Sequence, residues 1–114
     1  MFDPFTLTLV GVAIVAIVLI IWKKIVQWFR SKRQLSVQDA DAVGVLIVER
    51  MGNHQYNEVD IGFSNPNATT RMVKAVVSER TGKVLAAEAL ESGKLPDEET
   101  RRHVEAGRGM VVFR

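Results

Sequence analysis

The sequence predicts an α+β protein: one N-terminal transmembrane helix, then a small, mainly antiparallel β-sheet domain with one short helix. Three observations predict it. Residues 5–22 (FTLTLVGVAIVAIVLIIW) contain no ionisable side chain. Residues 23–37 hold five basic side chains and no acid. From residue 43 onward, apolar residues recur in alternation or in short β-branched runs bounded by Gly, Asn and Pro, the pattern of strands and turns.

The first element follows from length and polarity. As a helix, the 18 residues would extend roughly 27 Å, close to the ~30 Å hydrocarbon core of a bilayer. The flanks do not resemble a cleaved leader: the start is Met-Phe-Asp-Pro-Phe and the exit is Trp-Lys-Lys, with no small-residue cleavage pattern. The small residues Gly11, Ala13 and Ala16 lack the four-residue spacing of a helix-pairing motif. The basic collar then sets an orientation. Its side chains lie C-terminal to the apolar run, so the positive-inside bias places the N-terminus outside and residues 23–114 in the cytoplasm, at a bacterial inner membrane. Ile25, Trp28 and Phe29 fall on one face of a continuing helix. Trp22, Lys23, Lys24, Trp28, Arg30, Lys32 and Arg33 are the expected membrane-interface residues, with amphipathic rings and cations at headgroup level.

Residues 31–42 are polar and read as a linker. Residues 43–48 (VGVLIV) form a short β-branched run, expected as a strand buried on both faces. Residues 52–55 (GNHQ) are a turn signal, and residues 56–63 alternate, with Val59, Ile61 and Phe63 on one face. Residues 64–71 form a polar loop around Pro66; its Asn67-Ala68-Thr69 matches the glycosylation acceptor pattern, which a cytoplasmic domain would not use. Residues 72–80 and 83–90 flank Thr81-Gly82 as a hairpin, with Val73, Ala75, Val77, Leu85, Ala87 and Ala89 facing one core. Residues 83–92 also contain strong helix formers, so a helix competes there. Residues 96–106 read as a helix: Pro96 suits the first turn, acids at 97–99 complement the dipole, and Gly107 is a natural stop. Residues 110–113 are the last strand. The expected order is membrane helix-β-β-β-β-α-β, divided as residues 1–30 (helix and collar), 31–42 (linker) and 43–114 (domain).

There is no cysteine, so disulfides, thiol nucleophiles and Cys-ligated metals are out. The eight glycines form neither phosphate-cradling pattern, and Gly107-Arg108-Gly109 follows a helix instead of opening one. His54 and His103, the two histidines, have no metal-ligand spacing. No catalytic residue, cofactor or metal is expected, nor nucleic acid as a partner, because residues 38–114 carry slightly more acid than base. The expected function is therefore a non-catalytic, single-pass accessory or scaffolding subunit of a membrane assembly, presenting a cytoplasmic interaction domain. Its partners would be the bilayer and other membrane subunits or a second copy. The alternatives are an anionic-lipid sensor using the collar, and a tethered small-ligand module. Convergence of His103, Arg101 or Glu99 with His54 around a cavity would favour the last of these.

Overall fold

A computed structural model describes residues 12–58 and 67–113. The elements are β1 (Ala13–Ala16), α1 (Trp22–Ser31), α2 (Gln34–Gln38), β2 (Ala42–Met51), β3 (His54–Gln55), β4 (Thr70–Ser78), β5 (Val84–Ser92), α3 (Glu98–Ala106) and β6 (Met110–Phe113). Among the described residues, six strands form one mixed sheet in the order β1-β5-β4-β2, with β3 and β6 both on the far edge of β2. β1 runs parallel to β5, and the other pairings are antiparallel.

The spanning helix expected over residues 5–22 is not formed. Residues 13–16 are a strand, residues 17–21 are irregular and the first helix starts at Trp22. Among the described residues, no helix is long and apolar enough to cross a membrane. Residues 5–11 lie outside the described residues. The N-outside orientation, the cytoplasmic placement of residues 23–114 and the single-pass, inner-membrane assignment rested on that helix and fall with it. The physical reason is alternation. Successive residues of a strand point to opposite faces, and both faces of this sheet are apolar. Val12 and Ile14 pack with the cluster of Val45, Ile47, Val73 and Ala75, while Ile17, Ile20 and Trp22 pack with Leu46, Val48 and Met72. A segment serving both layers shows no polar face, and hydropathy alone does not separate it from a lipid-facing helix.

β2 extends past the expected 43–48 at both ends, β4 starts and ends two residues before the expected 72–80, α3 starts two residues after the expected 96, β6 spans the expected 110–113, and residues 84–92 are strand, not helix. Residues 56–58 are not strand, and residues 59–63 lie outside the described residues. Leu85 packs on the helix-covered face, apart from Ala87 and Ala89, because the β4–β5 register shifts between Val76 and Val77. The expected linker carries α2 and the start of β2.

The helices pack on one face of the sheet. α1 buries Trp22, Ile25 and Phe29, spaced for one helical face, and turns Lys23, Lys24 and Arg30 outward. α3 buries Thr100 and Val104. α1 has no cap residue of its own, since Ile21 offers no side-chain acceptor. Asp97, the cap of α3, supplies it. Its carboxylate accepts from Thr100 N (3.1 Å), from the Thr100 hydroxyl, and from Trp22 N (3.2 and 3.3 Å to its two oxygens). Asp97 N in turn donates to Ile20 O at 3.0 Å. One carboxylate thus answers the otherwise unpaired donors and positive dipole ends of two helices.

Candidate functional site

The last turn of α1 lies over the start of β2, where Gly44 carries no side chain. A Cβ there would sit 2.6 Å from Phe29 Cδ1 and 3.2 Å from Phe113 Cβ, so glycine is what lets the Phe29 ring lie against the strand. Phe29 stacks on Phe113 (centroids 4.2 Å, interplanar angle 19°) and takes Trp28 edge-on at 5.0 Å. Phe113 continues to Trp22 at 5.5 Å, and Trp22 stacks on His103 at 4.0 Å. Five rings thus join α1, β6 and α3 in one series.

Beside this series, past the end of α1, a cleft of about 420 Å³ opens, floored by Val26, Phe29, Val76 and Phe113 and rimmed by Arg30, Lys32 and Arg33. Its volume is in the range of small-molecule sites. The rim arises from local structure. The chain turns at Lys32 and Arg33 between α1 and α2, and the Ser36 hydroxyl pins that turn by donating to Arg33 O at 2.6 Å. Lys32 also lies 5.5 Å from the Trp28 ring centroid. Among the described residues, no acidic side chain lines the cleft and the three rim cations make no ion pair. Positive charge beside a low-dielectric wall concentrates anions.

The seven residues expected at a membrane interface separate into three groups. Arg30, Lys32 and Arg33 come together at the cleft. Trp22 is buried in the core and Trp28 is half-buried. Lys23 and Lys24 are exposed on α1 away from the cleft.

His54 and His103 do not meet, because His103 is stacked on Trp22. Glu99 is exposed and lines neither cavity near His54. Arg101 does converge with His54: together with Tyr56 and Glu105 they line a shallow cavity of about 490 Å³ between β3 and α3. The Tyr56 phenol is pushed above its ordinary pKa, first by burial and then by the Glu105 carboxylate, so it stays a protonated donor at neutral pH. Among the described residues, no group of three or more His, Asp or Glu side chains could hold a metal ion.

Sequence reasoning missed Gly44, Phe113 and Lys74. Lys74 sits on β4 beneath α1, only 5% exposed, with its ammonium 2.7 Å from Glu88 and 4.8 Å from the Trp28 centroid. Its signal was a lone cation within the apolar run of residues 72–77. No protein-family model, curated protein or solved structure matches the chain significantly.

Proposed function

We propose that the chain is a non-catalytic binding module whose α1 cleft takes a monomeric anionic amphiphile. The apolar body would rest on Phe29, Phe113 and Val76, and its carboxylate or phosphate would meet Arg30, Lys32 and Arg33. One observation carries the reading: three cations without acidic neighbours rim a cleft whose floor is aromatic and aliphatic. Guanidinium groups match such head groups with paired, charge-assisted hydrogen bonds. Among the described residues, the lining holds no carboxylate or imidazole, and its Ser36 hydroxyl donates to Arg33 O.

Calorimetric titration with decanoate, kept below its aggregation concentration, tests the reading. One saturable site is expected, weakened tenfold or more in R30Q/K32Q/R33Q, because losing charge-assisted hydrogen bonds costs about 1.5–3 kcal/mol each. Decyltrimethylammonium is expected not to bind. Equal binding of the two amphiphiles, or binding only to anionic vesicles and not to the monomer, overturns the proposal.

A further inference from the structure

We infer a second, independent site in the groove between β3 and α3, for a small phosphate monoester that carries a planar ring and a hydroxyl donor, as a nucleoside monophosphate does. The groove spans two adjoining cavities of about 490 and 550 Å³ that share His54, Tyr56 and Glu105, with Arg101 at one end and Arg108 at the other. Each required chemistry is present. His54 is exposed and leans on Tyr56 at 4.1 Å (34°), a braced platform for a stacking ring. Arg101 and Arg108 supply two guanidinium forks, the donor geometry that suits phosphate.

Neither arginine is neutralised by an ion pair among the described residues, although Glu105 lies four residues from Arg101 and three from Arg108. Arg101 Nε is buried and makes no hydrogen bond among the described residues, so a ligand in the groove would meet the terminal amino groups of its fork. Arg108 is held where it is at a cost. It is the one described non-glycine residue with positive φ (54°), in the turn between Gly107 and Gly109. An L side chain rarely occupies that region, and here the strained position sets a guanidinium on the groove wall. Glu105 would repel a bare anion, but it accepts from a hydroxyl, which favours a phosphate that brings its own donor.

NMR titration of the full chain with adenosine monophosphate, adenosine and inorganic phosphate decides the matter. The nucleotide is expected to bind at least tenfold more tightly than either fragment and to shift amides of residues 53–56 and 101–109. R108G separates charge from fold, because glycine adopts φ 54° freely; it should keep or raise Tm while weakening the nucleotide tenfold. E105Q should narrow the gap between nucleotide and inorganic phosphate. Inorganic phosphate binding as tightly as the nucleotide, unchanged affinity in R108G, or no shift at millimolar nucleotide overturns the inference. Decanoate binding in R108G should be unaffected, so failure here is distinguishable from failure of the α1 cleft.

Discussion

At the residue scale, three charged side chains sit where their removal gives contrasting outcomes. Asp97 caps two helices at once, so Asp97→Ala removes the α3 cap and also strands the Trp22 N–H. A lost cap costs about 1 kcal/mol, and an unsatisfied, partly buried donor costs about 1–3 kcal/mol. Denaturant unfolding is expected to show a loss of about 2–4 kcal/mol, with Asp97→Asn intermediate because it keeps an acceptor oxygen; a loss no greater than that of an ordinary surface alanine would refute the double cap. Lys74 and Glu88 behave differently because one is buried and the other reaches water. Lys74→Met replaces a desolvated charge with a chain of similar volume beneath Trp28, and is expected to leave stability unchanged or raise it by about 1–2 kcal/mol. Glu88→Ala leaves the ammonium unpaired under α1 and is expected to cost about 1–3 kcal/mol. If both variants lose stability equally, the pair is a net stabiliser and the desolvation argument is wrong. The acids of residues 97–99 were legible in sequence as complements of a helix N-terminus. The reach of Asp97 to Trp22, 75 positions away, was not, because no local pattern encodes it.

At the element scale, α1 was legible as a helix and its partner was not. The i, i+3, i+4 spacing that places Ile25, Trp28 and Phe29 on one side specifies a helical face but not what covers it. Lipid and a valine-rich sheet are equally apolar. The deciding feature is Gly44 on β2, where the missing side chain makes room for Phe29 and so for the approach of α1 to the sheet. Nothing in residues 43–48 marks that glycine as a seat for a ring; read alone, it is a weak point in a strand. Gly44→Ala is therefore an element-scale perturbation: the new methyl drives Phe29 off Phe113. The expected loss is about 1–3 kcal/mol, typical of overpacking, with a drop in near-ultraviolet circular dichroism from the displaced ring series and little change in the far ultraviolet. Decanoate binding should weaken in parallel, since Phe29 is the cleft floor. An unaltered near-ultraviolet spectrum would show that Phe29 is not seated on Gly44.

At the scale of the whole molecule, apolar residues bind the sheet on both faces, and one arginine spans three strands. Arg71 on β4 reaches Glu49 on β2 at 2.8 Å and Glu91 on β5 at 3.8 Å. The β2 bulge between Val48 and Arg50 releases Glu49 from the ladder and moves Met51 onto the helix-covered face. Burial is the largest influence on Glu49 and raises its pKa above the ordinary carboxylate value. Arg71 and Arg50 oppose that rise, while Glu91 and Glu58 add to it. A raised carboxyl favours the protonated form in the folded state. Its contribution is thus fully present below the unfolded pKa and is lost as pH climbs through the folded one, so at neutral pH the charged Glu49 is a net cost. Glu49→Gln fixes the neutral form while keeping an acceptor for Arg71. The expected result is a Tm difference, variant minus wild type, that is larger at pH 7 than at pH 4 and closes on acidification. Comparing the two proteins at each pH cancels the carboxylates they share, such as Glu88 beside Lys74. A difference that stays constant with pH, or widens in acid, would mean that Arg71 outweighs burial and that Glu49 is held as a favourable anion within the sheet.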